Sequence, residues 1–301
     1  MNYSKPALTI PEQITKLKHR GLIINDTPRA EHYLINVGYY RLSGYWITMQ
    51  SDKVNHIFKP NSTFDNVISI YQFDRELRLL LFEIIERIEI ALRTRMVYHL
   101  SHEVNPWWFE DSTNFKNTVA HTDTLISIDR ELQQTKEEFI KEHYLKYHTD
   151  TRRPPAWKTL NICSFGTISK LYGNLADRLQ SKDLIAKEFG TANKSYLPSW
   201  LQAISQIRNI CAHHGRIWNK NLPTIPKLLP KPPNRWIANI PTGSDQNKLY
   251  IQICCMKYIY DSIETSNHIS KRIQVLFRKY PNIDQGALGF QPGWESEPLW
   301  K

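Results

Sequence analysis

Five residues in the second half of the chain have the types and spacing to act on a phosphate ester. Arg208, Asn209 and His213 lie within six residues, and His214 and Arg216 follow closely. Histidine can take up or release a proton near neutral pH, because its ordinary pKa is about 6.5. The planar guanidinium of arginine fits two phosphate oxygens at once. RNA carries its own nucleophile, the 2′-hydroxyl, so cleavage of its backbone by such residues requires no metal and no other cofactor.

The helix that must carry these residues is visible in the spacing of its apolar side chains, which recur with helical periodicity. They are Trp200, Leu201, Ile204, Ile207 and Cys211. Gly215 predicts the end of the helix. Asn209, His213 and Arg216 are spaced i, i+4 and i+7, and are predicted to share a second, polar face.

Arg208 and His213 diverge on such a helix, because residues five apart differ by about 140° in direction. One copy cannot easily bring both side chains to one phosphate. Two copies related by a two-fold axis can supply both pairs to a shared cleft. We therefore expect an obligate homodimer.

A cationic segment surrounds the histidine pair. The chain has a net charge of +10, and no Asp or Glu occurs from Phe189 to Ser244. This imbalance favours an anionic partner, with RNA as the expected one. Basic residues are expected to follow the RNA backbone and an indole to stack on a base. These are Lys220, Lys227, Lys231 and Arg235 for the backbone, and Trp218 or Trp236 for stacking.

The histidine pair has two other interpretations. A protonated histidine is favourable near the C-terminal end of a helix, so His213 and His214 could simply cap it. A metal site is the second alternative. Adjacent histidines point apart, and no third ligand lies nearby in the sequence, so no metal is expected.

The chain holds two looser arginine–histidine pairs, Arg93–His99 and Arg95–His102, on a helix rich in acids. That is a poor place to bind phosphate, and we do not expect either pair to act. On the same helix, Glu86, Glu89 and Arg93 can form a ridge of ion pairs. The ridge is either a solvated face or a support that holds the candidate catalytic helix in register.

Composition sets the class of protein. Hydrophobic residues make up 41% of the 301-residue chain, which suits a globular core, and the four cysteines form no C-x-x-C pair. Reduced thiols in a cytosolic protein fit this pattern better than disulfides. No apolar run is long enough to span a bilayer, and the N-terminus has no apolar leader. We expect a soluble, cytoplasmic protein with no membrane partner.

The predicted fold is all-α, with an N-terminal helical and aromatic extension over 1–60 and a helical domain over 61–301. Helices are predicted at about 9–20, after Asp26, and at about 63–101, 122–148, 181–189 and 246–279. Residues 46–59 predict one short β-hairpin. Prolines exclude helix through 223–233 and favour an extended surface segment. The aromatic stretch 38–46 is either a packed cluster or a base-stacking platform. Trp294 and Trp300 are expected to dock on the body of the protein.

A series of ordered blocks resembles the abortive-infection family of bacterial phage-defence proteins, the AbiD/AbiF-like group, from Gln13 to Trp300. The blocks are Gln13 with Arg20-Gly21-Leu22, residues 39–46, 73–78, 86–93 and 164–167, Arg208 to His214 with Arg216 and Trp218-Asn219, and Gly289-Phe290 with Trp294. One position departs from the family pattern: Asn161 stands where an acid is expected, three residues before Ser164.

This family is similar to a branch of the HEPN superfamily of helical ribonucleases and RNA binders. The resemblance implies a HEPN-like helical bundle, and it maps the superfamily's R-x(4–6)-H motif onto Arg208 and His213, with Asn209 as the polar residue after the arginine. It implies a toxin-like endoribonuclease of phage defence that leaves 2′,3′-cyclic phosphates, with the motif at a dimer interface. An RNA or protein antitoxin is a further expected partner. His214 and Arg216 would be accessory.

Two other functions fit the same residues. One is a non-catalytic RNA-binding module that holds a structured regulatory RNA. Such a module keeps its function when His213 is replaced and loses it when the basic segment is neutralised. The other is a helical dimerisation protein whose charge is incidental, which would show no salt-sensitive affinity for RNA.

Overall fold

A computed structural model describes residues 6–229 and 232–301. Within them the fold is all-α with one two-stranded antiparallel hairpin, as predicted. The chain forms two compact units. The first runs to Leu79 and takes in Arg272–Asp284, and the second comprises Leu80–Lys271 and Gln285–Lys301. The expected boundary at residue 60 therefore falls inside the first unit, because part of the longest helix and a late segment pack with the N-terminal helices.

The first unit begins with three short helices and the hairpin. Their bounds are α1 Ile10–His19, α2 Thr27–Asn36, α3 Tyr39–Trp46, β1 Gln50–Asp52 and β2 Ile57–Phe58. The carboxylate of Glu12 accepts hydrogen bonds from the backbone N–H and the hydroxyl of Thr9, which fixes the start of α1. The Asp26 side chain caps α2. The predicted hairpin is confirmed.

The aromatic stretch 38–46 is mainly a packed cluster. Tyr45 and Trp46 are buried, and the Tyr45 hydroxyl donates a 2.8 Å hydrogen bond to Asp74. Tyr40, in contrast, is 92% exposed. The structure thus favours packing over a base-stacking platform for all of the stretch except this one ring.

The longest helix, α4, spans Phe64–Glu103 and is shared by the two units. The second unit adds seven helices and a C-terminal tail. They are α5 Thr118–Gln134, α6 Glu138–Lys146, α7 Ala156–Ile162, α8 Phe165–Asn174, α9 Gln180–Glu188, α10 Leu197–Ala212 and α11 Leu249–Asp261. Trp294 and Trp300 of the tail are buried, as predicted, and their rings pack edge to face. No helix in residues 6–229 and 232–301 is both long and apolar enough to cross a bilayer.

The prediction of one helix over 246–279 is wrong. The chain breaks after α11, and the last helix, α12, is Ile269–Lys279. Asn267 donates hydrogen bonds to the Asp261 carboxylate and to the Glu264 carbonyl, so polar side chains satisfy backbone groups that a helix would use. In the first unit, Lys279 then forms a 2.7 Å ion pair with Glu76 of α4.

Close packing of α8 against α10 holds the candidate catalytic helix in the second unit. Gly166 and Gly173 are two turns apart on α8, and a Cβ atom on either would lie 3.6 Å from Ser205 or 3.8 Å from Pro198 of α10. The predicted apolar stripe of α10 is buried. A Cβ atom at either position would be in ordinary van der Waals contact with α10, so the space there suits a side chain no larger than a methyl group.

Candidate active site

The C-terminal end of α10 is closed by a Schellman motif. The helix ends at Ala212, and His213 is its C-cap. His214 follows in the left-handed conformation, with a φ of 55°. The N–H of Gly215 bonds to the carbonyl of Ile210 and the N–H of His214 to that of Cys211. The predicted polar face shared by Asn209, His213 and Arg216 is therefore wrong for Arg216, which lies beyond the helix.

Arg208 lies on the wall of a cavity of about 260 Å³ between α4 and α10. It is half-buried, and its Nε is buried without a hydrogen-bond partner. Across residues 6–229 and 232–301 it forms no ion pair. A guanidinium that no carboxylate of the described residues engages can donate hydrogen bonds to another acceptor.

The other wall of the cavity belongs to α4 and contains the predicted ridge of Glu86, Glu89 and Arg93. Phe82, Ile85 and Ile90 complete this wall. Arg93 pairs with Glu89 at 2.8 Å and donates a 3.1 Å hydrogen bond to the carbonyl of Cys163, just before α8. The ridge is therefore more than a solvated face, since it ties α4 to the residues that lead into α8.

His213 and Asn209 are exposed, and neither lines this cavity. Five residues of α-helix place His213 about 7.5 Å farther along the axis than Arg208 and about 140° around it. Within one chain, Arg208 therefore lines the cavity beside α4, whereas His213 lies outside it and is exposed to solvent.

Arg216 and the two tryptophans have structural contacts. The Arg216 guanidinium donates hydrogen bonds to the carbonyls of Trp218, at 2.9 Å, and Asn219, at 3.4 Å, and so braces the turn after α10. Trp218 is only 3% exposed, which contradicts its predicted stacking on a base. Trp236 is also buried and stacks on Trp200 at 5.4 Å. Both rings belong to the core.

Lys227, in the cationic segment that follows α10, packs near the N-terminal end of that helix. The backbone N–H of Lys227 bonds to the Ser199 hydroxyl, and the Trp200 indole donates to the Lys227 carbonyl. The Lys227 side chain is exposed there, about 20 Å along the axis from His213. Arg235 is exposed and Lys220 is half-buried. Lys231 lies outside the described residues.

The looser arginine–histidine pairs of α4 are engaged in structural contacts. His99 bonds to Glu188 at 2.9 Å, and Arg95 lies 3.4 Å from the same carboxylate and 3.9 Å over the ring of Phe189. His102 contacts the carbonyl of Tyr98. These partners leave neither pair arranged for a phosphate.

A carboxylate does contact residues 164–167, but it belongs to another helix and not to position 161. Asn161 only bonds back to the Trp157 carbonyl. Glu131 of α5 accepts hydrogen bonds from the Ser164 N–H, at 3.1 Å, and from the Thr167 hydroxyl, at 3.0 Å. Burial, together with this carboxylate, raises the pKa of the Cys163 thiol well above its ordinary value. Sequence reasoning missed Glu131, since nothing local marks a residue 33 positions upstream.

Comparison with known proteins gives a family but no individual relative. Searches of curated proteins and of solved structures found no match to the chain. A sequence model described as "Abi-like protein" matches residues 32–219, which include α4, the Ser164 block and the whole of α10. The match covers more than half of the chain. The chain therefore belongs to the Abi-like protein family of abortive-infection proteins.

Proposed function

We propose that the protein is a metal-independent endoribonuclease that acts as a toxin-like effector in abortive infection of phage-infected cells. The observation that carries this proposal is the state of Arg208. Arg208 lines an open cavity, and no carboxylate in the described chain neutralises its guanidinium. Hydrogen bonds from a charged guanidinium to phosphate oxygens are strong and often bidentate, so RNA is a fitting acceptor.

The chemistry is transesterification within the RNA. A His213 imidazole takes the proton of the 2′-hydroxyl, and the oxygen attacks the adjacent phosphorus. Arg208 stabilises the charge of the phosphorane, and Asn209 orients the phosphate. A second imidazole, protonated, delivers its proton to the departing 5′-oxygen. The products are a 2′,3′-cyclic phosphate and a 5′-hydroxyl, with His214 and Arg216 as accessory residues.

The reaction needs one imidazole as base and a second as acid, but each chain presents only one exposed His213. The proposed enzyme is therefore a homodimer with a composite site. The divergence of Arg208 and His213 along α10 supports this arrangement, since one chain alone presents them in different directions. A two-fold axis would bring two copies of each residue to one cleft. HEPN-type enzymes, to which this family is similar, arrange their motif in this way.

The basic segment supports binding of the RNA backbone. Lys227 and Arg235 are exposed, and no acid occurs from Phe189 to Ser244 to offset them. The same exposure favours the second candidate function, a module that binds a structured regulatory RNA without cleaving it. An RNA or protein antitoxin would restrain the nuclease in uninfected cells.

The test uses total cellular RNA in EDTA with the purified wild type, Arg208→Ala and His213→Ala. Cleavage by the wild type alone is expected. Matched controls are Arg130→Ala and His148→Ala, which remove an exposed arginine and an exposed histidine outside the site. If all five proteins bind RNA with equal salt sensitivity and none cleaves it, the binding module is the better account.

A further inference from the structure

The cavity beside Arg208 has room and chemistry beyond a phosphate site. Its volume of about 260 Å³ lies just below the range of about 300–1,000 Å³ typical of drug-sized ligand sites. A single nucleobase matches that scale. Phe82, Ile85 and Ile90 supply apolar walls, and Phe82 and Ile90 are 41% and 48% exposed. The ring of Phe82 therefore offers a face on which a base can stack.

The charged residues of the cavity differ in whether another residue already pairs with them. Glu89 and Arg93 neutralise one another at 2.8 Å, and Arg93 is further held by the Cys163 carbonyl. Glu86 lines the same cavity, is exposed, and forms no hydrogen bond or ion pair within residues 6–229 and 232–301. What remains for a ligand is one carboxylate, Glu86, and one guanidinium, Arg208.

A nucleotide can engage both groups, with its phosphate on Arg208 and its base against Glu86. A carboxylate only accepts hydrogen bonds, so it selects bases by the donors on their edges. Guanine presents two neighbouring donors, N1–H and the N2 amino group, which match the two carboxylate oxygens. Adenine and cytosine present one amino group beside a ring nitrogen that repels the carboxylate. Uracil presents one N–H between two repelling carbonyl oxygens.

We propose that this cavity is a base subsite that selects guanine next to the scissile phosphate, with Glu86 reading the base edge and Phe82 stacking on its face. The inference rests on the proposed ribonuclease function and names the sequence at which it cuts. Phe82 and Glu86 are specificity-determining residues in this account, whereas Glu89 and Arg93 position the wall.

The test measures binding of the four 3′-nucleoside monophosphates to the full-length His213→Ala protein in EDTA by titration calorimetry. Guanosine 3′-monophosphate is expected to bind about tenfold or more tightly than the other three, since a bidentate contact to a base edge typically discriminates by about that factor or more. Adding Glu86→Gln should remove this preference. Adding Phe82→Leu should weaken binding of all four nucleotides and leave their order unchanged. Glu142→Gln, at an exposed glutamate of α6, should change nothing.

Equal binding of the four nucleotides, or a guanine preference that survives Glu86→Gln, would overturn the subsite. A change of oligomeric state in the Glu86 or Phe82 variant, with nucleotide binding unaltered, would also overturn it and assign the cavity to a contact between copies. Cleavage of RNA by the wild type is scored separately. Guanine-selective binding without cleavage supports the subsite and counts against the ribonuclease, whereas cleavage with no base preference counts against the subsite alone.

Discussion

One backbone conformation sets the position of the histidine pair. His214 adopts a φ of 55° at the position of the Schellman motif that usually holds glycine. The left-handed turn stops α10 at Ala212, so His213 stays at the helix end while Arg216 is carried away to brace the next turn. A side chain in this conformation costs about 1–2 kcal/mol, and such strain is often kept where function requires the side chain.

Replacing His214 with glycine should relieve this strain. We expect the free energy of unfolding to rise by about 1 kcal/mol, less whatever contact the imidazole itself makes. Chemical denaturation followed by circular dichroism measures the change. His213→Gly is the control, because the φ of His213 is −91° and glycine gains nothing there. A loss of stability in His214→Gly would show that the contacts of the imidazole outweigh the backbone strain.

The sequence predicts Arg208, Asn209 and His213 as candidate site residues because residue types and spacing along one helix are local properties. It could not reach the roles of Arg216 and Trp218. The shared face of Arg216 is predicted from its spacing alone, although Gly215 already predicts the end of the helix; the turn begins one residue earlier, at His214, whose residue type does not mark a left-handed conformation. Trp218 was expected to stack on RNA because burial depends on contacts between distant segments.

Among the helices, the N-terminal end of α9 is capped by a side chain from α4. Glu103, the last residue of α4, accepts 2.8 Å hydrogen bonds from the N–H groups of Gln180 and Ser181 at the start of α9. A carboxylate at a helix N-terminus also interacts favourably with the helix dipole. Partial burial raises the pKa of the Glu103 carboxyl, but its hydrogen bonds to Ser181 and Gln180 outweigh that and hold it below the ordinary value.

This cap should make stability depend on pH. Because the folded-state pKa of Glu103 lies below its unfolded-state value of about 4.3, the stabilisation is complete above that pH and is lost as pH falls through the lower folded-state pKa. At pH 6, Glu103→Gln should be less stable than the wild type by about 1 kcal/mol, a typical value for a cap. Urea unfolding between pH 6 and pH 3 should show the gap narrowing, with Glu142→Gln showing no such gap. A gap that is constant with pH would contradict the charged cap.

The elements themselves were largely predictable, with instructive exceptions. The α4 helix and the caps of α1 and α2 follow from periodicity and from capping residues. The break between α11 and α12 was missed because apolar residues continue on both sides, while the polar stretch 262–268 forms its own turns. The role of Glu131 at the Ser164 block was unpredictable for another reason, since helix packing brings together residues far apart in sequence.

For the molecule as a whole, a net charge of +10 favours an anionic partner, and the proposed chemistry needs two copies of the chain. The single exposed His213 of each chain and the divergence of Arg208 from it are the reasons for proposing an active site completed by a second copy. Membership of an abortive-infection family is consistent with the proposed effector function in phage-infected cells.

Dilution tests the composite site. Specific activity per chain should stay constant at high protein concentration and fall once the concentration drops below the dimer dissociation constant. Light scattering or analytical ultracentrifugation over the same range should show the dimer dissociating in parallel. Full activity from a protein that is monomeric by these methods would contradict the composite site.

The chemistry of the RNA ends shows whether the 2′-hydroxyl is the nucleophile. Purified wild-type protein is incubated with total RNA in EDTA, and the fragment ends are identified. We expect 2′,3′-cyclic phosphates and 5′-hydroxyls, which should be absent with Arg208→Ala and His213→Ala, and no cut at a site where the nucleotide is 2′-deoxy. Fragments with 3′-hydroxyls and 5′-phosphates, or cleavage at the 2′-deoxy site, would contradict it, because the 2′-hydroxyl would then not be the nucleophile.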